Sequence, residues 1–262
     1  MMSKKRFCRS ESDIFRSLGQ WFKGPPGDIL LEQEWRYLEQ RLSGLFGYYA
    51  VQVGCLGIQT QLLQAGNIKS QILVGSGFSA TEAAVAIEAA PESLPIASDS
   101  VDVVLLPHTL DFSPNPHQVL REAERILIPE GRVVVVGFNP FSMWGIWRLF
   151  RRYKGTVPWC GQFLSQRRIH DWLSLLGFKV EESQNLMFLP PVSHSGSMHR
   201  MRRLEQIGSR FWPMLGGVYV VQGIKRVSRL TPVQPAWKIR SGVLGGRLVE
   251  PTTRATRTSS SD

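Results

Sequence analysis

The sequence predicts an α/β fold in which a largely parallel sheet is covered by helices on both faces. Short apolar runs rich in Val, Ile and Leu alternate with segments whose apolar residues recur at helical spacing, as in repeated strand–helix–strand units. Two of the runs, residues 101–106 and 132–138, are almost continuously apolar, which is typical of strands buried on both faces. With 262 residues, 43% of them hydrophobic, the chain is long enough for one large domain.

Two helices are predicted before the first strand. Residues 10–22 place Ile14, Leu18 and Trp21 on one face, and the Gly-Pro-Pro-Gly run at 24–27 ends that helix. In the second helix the apolar residues at helical spacing are Leu31, Trp35, Leu38 and Leu42. We therefore expect residues 1–44 to form a helical extension that acts as a lid or a brace on the later sheet.

The strands and helices of the main domain follow in order. Period-2 and continuous apolar runs predict strands at residues 49–53, 71–74, 85–87, 101–106, 132–138, 178–181 and 217–221. Helical spacing predicts helices at residues 58–64, 116–127, 169–176 and 198–211. From residue 228 the chain is rich in Pro, Gly, Ser, Thr and Arg without periodicity, which indicates a disordered basic tail. The expected parts are thus residues 1–44, 45–227 and 228–262.

Charge and composition favour some classes of partner and exclude others. The net charge of +10 favours an anionic partner, which could be RNA, DNA or a membrane surface. The apolar runs are too short to span a bilayer, and the basic start leads into no apolar run, so it is not a secretory signal. Cys8, Cys55 and Cys160 form no CxxC pair and the histidines are scattered, so we expect no disulfide framework and no metal site. A cytoplasmic location fits these features.

One long block carries a family resemblance. Residues 93–111, SLPIASDSVDVVLLPHTLD, resemble the "LPF…SFDxVxxxHxLEH" block of class I S-adenosylmethionine-dependent methyltransferases. Residues 120–132, LREAERILIPEGR, are similar to the "LRExxRVLKPGG" helix and turn of the same family, in which Pro129 stops the helix and Gly131 lets the chain return to the sheet. Residues 137–142, GFNPFS, together with the basic tail, resemble the YafS-like group of bacterial proteins.

This resemblance implies a more specific fold and an activity. The family fold is Rossmann-like, with a mostly parallel seven-stranded sheet, helices on both faces and an antiparallel C-terminal strand. Its members transfer a methyl group from S-adenosylmethionine to an acceptor by in-line displacement. The acceptor cannot be read from the sequence, because function lies in the site and not in the fold.

The resemblance places the cofactor at the carboxyl ends of the strands. The family's first strand ends in an acidic residue and a glycine-rich loop, and the matching positions here are Gln52, Gly54, Cys55, Leu56 and Gly57. Gly54 and Gly57 would let the backbone approach the cofactor. Leu56 stands where glycine is frequent, and Gln52 stands where a carboxylate is usual.

Two further acidic positions of the family are also changed. The ribose-binding acid is replaced at Val74, Gly75 or Ser76, and the adenine-binding Asp is replaced by Ala90. Each lost charged acceptor weakens binding by about 1.5–3 kcal/mol. Either Glu88 or Glu92 substitutes and the protein is a methyltransferase, or the fold has become a non-catalytic binding protein for nucleic acid or an anionic surface.

A second glycine-rich loop offers a weaker alternative. Residues 75–80, GSGFSA, follow a strand and fit a GxGxxA dinucleotide fingerprint. Only 19 residues separate Gly75 from Leu94, which is too few for two more strands with their crossovers. We therefore favour the loop that begins at Gly54.

Other segments suggest chemistry and contacts. Pro107 and His108 follow the fourth strand, where the family site lies, and His108 could remove a proton from the acceptor because its ordinary pKa is near neutrality. The alternative is that His108 only hydrogen-bonds nearby backbone.

Residues 141–154 and 199–210 mix aromatic or apolar residues with arginine. This pattern suits nucleic acid or a membrane interface. The alternative is a lid helix whose aromatic residues belong to the core.

Overall fold

The computed structural model describes residues 11–54, 67–75, 85–151, 155–191 and 212–226. Two helices, α1 (Glu11–Phe22) and α2 (Gly27–Leu42), precede the strands β1 (Phe46–Val53), β2 (Asn67–Gly75) and β3 (Ala86–Glu88). The central part contains β4 (Val101–Pro107), the short helix α3 (Thr109–Phe112), α4 (Pro116–Ile126) and β5 (Leu127–Phe138). The remainder contains α5 (Met143–Arg151), α6 (Gln166–Leu175), β6 (Phe178–Leu186), a 3-10 turn (Pro213–Leu215) and β7 (Val218–Lys225).

The seven strands form one sheet in the order β3-β2-β1-β4-β5-β7-β6. Strands β1 to β5 pair in parallel, whereas β7 runs antiparallel to both β5 and β6. The predicted Rossmann-like sheet with an antiparallel C-terminal strand is confirmed. Because of these directions, the carboxyl ends of β1 to β5 and the start of β7 share one border of the sheet, which we call the carboxyl edge.

Both faces of the sheet are covered. Helices α1 and α2 pack on one face, where Leu18 and Leu38 meet Val103 and Val134 in a single buried cluster. Helices α4 and α6 pack on the other face, against the alternate residues of the same strands. The central strands are therefore apolar at nearly every position, because each position is buried against one layer of helices or the other.

Helix α4 holds the loop that precedes β4. The backbone N–H of Leu94 donates to the Glu122 carboxylate at 3.0 Å. The guanidinium of Arg125 donates to the carbonyl oxygens of Leu94 and Ile96, both at 2.9 Å, and also to Glu122 at 2.8 Å. The sequence block with the strongest family resemblance is thus stabilised by its own charged residues.

Several strands are longer than the sequence predicts. β1 begins at Phe46, and β6 and β7 continue to Leu186 and Lys225. β5 begins at Leu127, so the predicted turn lies within it, and the pairing with β4 shifts register between Val101 and Val103. The predicted helices 58–64 and 198–211 lie outside the described residues.

Two further expectations concern the cysteines and the chain as a whole. Cys160 is disulfide-bonded, so the expectation of no disulfide is wrong at this position; the other two cysteines, Cys8 and Cys55, lie outside the described residues. Within the described residues, no helix is both long and apolar enough to cross a membrane. The chain divides into two units between Val227 and Ser228.

Candidate active site

The carboxyl edge gathers polar residues from strands that are distant in sequence. Ligands of open α/β sheets bind at this edge, outside the carboxyl ends of the strands. Gln52 lies near the end of β1, His108 follows β4, and Asn139 follows β5. The side-chain amide of Asn139 donates to the carbonyl oxygens of Met214 and Gly216, both at 2.9 Å, and so fixes the turn before β7 against the end of β5.

The tip of β1 is held by one of its own side chains and by two neighbouring elements. Gln52 is buried, and its amide donates to the carbonyl oxygen of Gly54 at 3.2 Å. The N–H of Gly54 donates to Val74 at the end of β2 at 2.7 Å, and the Thr109 hydroxyl donates to the carbonyl of Val53. Gly54 has a φ of 96°, a conformation that glycine adopts without the penalty of a Cβ. The backbone therefore turns at Gly54 without a Cβ that would keep a ligand away from it.

The tips of β2 and β3 place an acidic residue beside a glycine. Gly75 and Glu88 are partners in the β2–β3 register, and Glu88 is exposed. Ala90 is exposed on the loop after β3. The other nearby carboxylate, Glu92, accepts a hydrogen bond from the Ser113 hydroxyl at 2.5 Å. Glu88 is therefore the carboxylate better placed to meet a ligand at this edge.

His108 lies in a buried ion-pair cluster. Its side chain is fully buried, its Nε2 lies 3.0 Å from Oε1 of Glu34 in α2, and its Nδ1 lies 3.4 Å from Oδ2 of Asp111. Its ring stacks on Phe138 with 4.2 Å between centroids. Burial by itself would lower the pKa of His108, but the two carboxylates outweigh burial and raise this pKa to about 9. At neutral pH the ring is thus a cation that donates to both carboxylates.

Asp111 connects this cluster to the end of β5. Its Oδ2 also accepts the N–H of Phe138 at 2.9 Å. Its Oδ1 and the Tyr219 hydroxyl are buried, and neither has a hydrogen-bond partner in the part of the chain that the structure describes. Burial, with the nearby charge of Asp111, raises the pKa of Tyr219 well above its ordinary value. The Tyr219 hydroxyl is therefore neutral and poorly satisfied.

A cavity of about 530 Å³ lies further along the same edge, within the volume range of small-molecule sites. Its apolar lining comes from Phe141, Met214 and Leu215, and its polar lining from Asn139, Ser165, Gln166, Arg167 and His170. Ser165 caps α6, because its Oγ accepts the N–H of Arg168. The cavity thus combines apolar walls with convergent polar groups.

His170 differs from His108 in its burial and in the direction in which its pKa is shifted. It is only partly buried, but its Nε2 is shielded from solvent and has no hydrogen-bond partner among the described side chains and backbone. Burial lowers the pKa of His170, and Asp171 only partly opposes this effect. The ring is consequently neutral at neutral pH.

Comparison with known proteins decides the family. Residues 51–135 match the model of the methyltransferase domain. The uncharacterised protein YafS of Escherichia coli is 34% identical over 178 residues, which are 68% of this chain and 72% of YafS. This chain belongs to the YafS-like methyltransferase family. Methyl transfer is the activity of methyltransferases of this class, and S-adenosylmethionine is their methyl donor.

Solved structures with low sequence identity share the fold of this family member. An S-adenosylmethionine-dependent methyltransferase from Thermotoga maritima superposes with a TM-score of 0.56 and 19% identity, covering 81% of this chain and 100% of that chain. A second one, from Mesorhizobium loti, gives a TM-score of 0.52 and 16% identity, covering 73% and 97%. These likenesses concern the architecture alone.

The sequence-predicted site positions are only partly described. Gln52, Gly54, Gly75, Pro107 and His108 lie along neighbouring strands of the carboxyl edge. The positions outside the described residues are Cys55, Leu56, Gly57 and Ser76. No cluster of three or more His, Cys, Asp or Glu side chains that could hold a metal is found within the described ranges.

Sequence reasoning missed Glu34 and the cavity. Leu30, Glu34 and Leu38 are spaced four residues apart on the buried side of α2, so the acid lies within an apolar stripe. The predicted stripe included Leu31 and Trp35, which are only partly buried. A glutamate inside an alternative apolar stripe is the sequence feature that could have revealed the partner of His108.

Proposed function

We propose that this protein transfers the methyl group of S-adenosylmethionine to a small acceptor bound in the cavity between β5 and α6. The observation that carries the proposal is that this cavity and the tips of β1, β2 and β3 lie on the same carboxyl edge. β4 separates β1 from β5, so two strand spacings, about 10 Å, lie between the β1 tip and the cavity wall. When bound, the cofactor supplies an electrophilic methyl group, and the chain must hold the acceptor against it.

The tips of the first three strands fit an adenosyl group. Gly54, with its positive φ, lets the backbone approach a ligand without a Cβ clash. The family's ribose-binding acid is absent at Gly75, and Glu88 is its partner on the adjacent strand. We assign hydrogen bonding of the ribose hydroxyls to Glu88, because the Glu92 carboxylate accepts from Ser113.

Proton removal from the acceptor is assigned to His170. A general base has to be unprotonated and within reach of the substrate, and His170 lines the cavity with a lowered pKa. His108 is protonated and enclosed by Glu34 and Asp111. We assign to His108 the positioning of α2. The role of general base, which the sequence suggests for His108, is therefore assigned to His170.

Calorimetric titration of the full chain with S-adenosylmethionine and S-adenosylhomocysteine tests the cofactor site. We expect both to bind, and we expect Glu88→Gln to weaken binding about tenfold or more, because it removes a charged acceptor worth about 1.5–3 kcal/mol. Glu92→Gln is the matched control and should leave the affinity unchanged. Absence of binding at millimolar ligand would overturn the proposal, and a loss in Glu92→Gln alone would move the ribose contact to Glu92.

A further inference from the structure

Helix α5 turns its apolar side toward solvent. Met143, Ile146, Trp147, Leu149 and Phe150 fall within an arc of about 160° at 3.6 residues per turn. Four of these five side chains are 54% to 76% exposed, and Trp147 is 37% exposed. Only Trp144 and Gly145 of this helix are buried. Helices of soluble domains normally pack their apolar stripe on the core, so this orientation is unusual.

The exposed side of α5 continues into the rim of the cavity. Phe141, just before α5, and Met214, in the turn before β7, are 70% and 72% exposed, and both line the cavity. Trp212, at the start of the same turn, is 61% exposed. We call these side chains together with the apolar arc of α5 the α5 surface. Exposed apolar areas formed by several large side chains mark interaction sites in soluble proteins.

The sequence around the α5 surface is basic throughout. No Asp or Glu occurs between Glu130 and Asp171. The basic residues of that stretch are Arg132, Arg148, Arg151, Arg152, Lys154, Arg167 and Arg168. Arg151 lies 5.6 Å from the Trp147 ring centre, and Arg167 and Arg168 are exposed at the start of α6. The apolar surface is thus bordered by positive charge and faces no carboxylate of its own segment.

We infer that the α5 surface binds an anionic lipid bilayer, with its apolar side chains among the acyl chains and its arginines at the headgroups. Interfacial helices combine these two features, and tryptophan is enriched at the membrane boundary. The aliphatic side chains Met143, Ile146 and Leu149 have no π-face for stacking on bases, which nucleic-acid surfaces use. Pairing with a second copy through the same surface would bring like charges together.

Vesicle flotation of the full chain tests this inference. The wild-type protein should float with phosphatidylcholine vesicles that contain phosphatidylglycerol, and much less with phosphatidylcholine alone. The double variant Leu149→Ser, Phe150→Ser should lower the bound fraction about tenfold or more, because two large apolar side chains no longer insert. Both side chains are exposed, so the variant should fold as the wild type does.

Four comparisons make the result decisive. Leu175→Ser, on a leucine that is 83% exposed at the far end of α6, should leave flotation unchanged, and an equal loss there would overturn the inference. Binding of poly(U) without vesicle binding would instead indicate nucleic acid. A dimer in gel filtration that the double variant dissociates, again without vesicle binding, would indicate a self-contact. Glu88→Gln should float normally, which separates this inference from the proposed cofactor site.

Discussion

His108 and His170 lie on the same edge of the sheet and have opposite electrostatic environments. His108 is fully buried between two carboxylates and is charged, whereas His170 lines the cavity and is neutral. The first sits in the sequence block that resembles the family motif, and the second sits in a helix without a motif. The comparison teaches that the partners of a histidine, and not its position in a motif, decide whether it braces the fold or handles a proton.

Removal of the Glu34 carboxylate should cause the largest change in stability. Glu34→Gln keeps the shape of a side chain that is 1% exposed but leaves the buried His108 cation with one carboxylate fewer. Breaking a buried ion pair costs about 3–5 kcal/mol, so the free energy of unfolding in urea should fall by about that amount.

Glu32→Gln, on the same helix, is the control for this substitution. Glu32 pairs with Arg36 on the surface, where both side chains are more than half exposed, and such pairs contribute about 0.3–0.5 kcal/mol. If the two variants lose the same stability, then the His108 cluster does not brace α2 as we describe.

The next largest effect should be a change of stability with pH that arises from His108. Its folded pKa of about 9 lies above the unfolded value near 6.5, so the ion pairs stabilise the protein fully below pH 6.5. Between pH 6.5 and 9 the unfolded chain loses the proton that the folded chain keeps, and stability falls by on the order of 3 kcal/mol. Urea unfolding at several pH values measures this loss, and Glu34→Gln should flatten it.

His170 should change the stability of the protein with pH in the opposite direction. Its folded pKa is lowered, so the unfolded chain binds the proton more tightly and the contribution of this residue to stability is lost as the pH falls below the unfolded value. A titration of the imidazole resonances by NMR should place the two histidines on opposite sides of 6.5. Equal pKa values would contradict the contrast on which the assignment of the base depends.

Replacement of His170 should affect turnover and not the fold. A general base contributes about 100-fold or more to the rate, so His170→Gln should slow transfer of tritium from labelled S-adenosylmethionine into a small-molecule cell extract about 100-fold. Affinity for S-adenosylhomocysteine should be unchanged. His117→Gln, which alters an exposed histidine whose ring contacts Trp172, is the control, and a comparable loss there would remove His170 from the proposed chemistry.

The central block of the sequence was predictable because its charged residues have a structural task. Arg125 and Glu122 hold the Leu94–Ile96 loop through directional hydrogen bonds, and such contacts depend on residues at fixed spacing. The continuous apolar strands β4 and β5 were predictable for a similar reason, since both of their faces are buried. Here local sequence and tertiary structure impose the same pattern.

The site was less predictable because its residues meet only in the folded chain. Two apolar stripes overlap on α2, and only packing on the sheet selects the one that contains Leu30, Glu34 and Leu38. The cavity joins Asn139, His170 and Met214, which share no local spacing. Of the predicted cofactor loop, Gly54 lies within the described residues and has a positive φ of 96°. The roles of Cys55, Leu56 and Gly57 stay predictions.

The smallest expected effect concerns Tyr219, whose hydroxyl is buried beside Asp111 without a partner among the described residues. Tyr219→Phe removes a polar group that gains no hydrogen bond on folding, so the protein should be unchanged or up to about 1 kcal/mol more stable. Tyr49→Phe, at an exposed position of β1, should have no effect. If Tyr219→Phe instead loses 1 kcal/mol or more, then the hydroxyl donates to the Asp111 carboxylate.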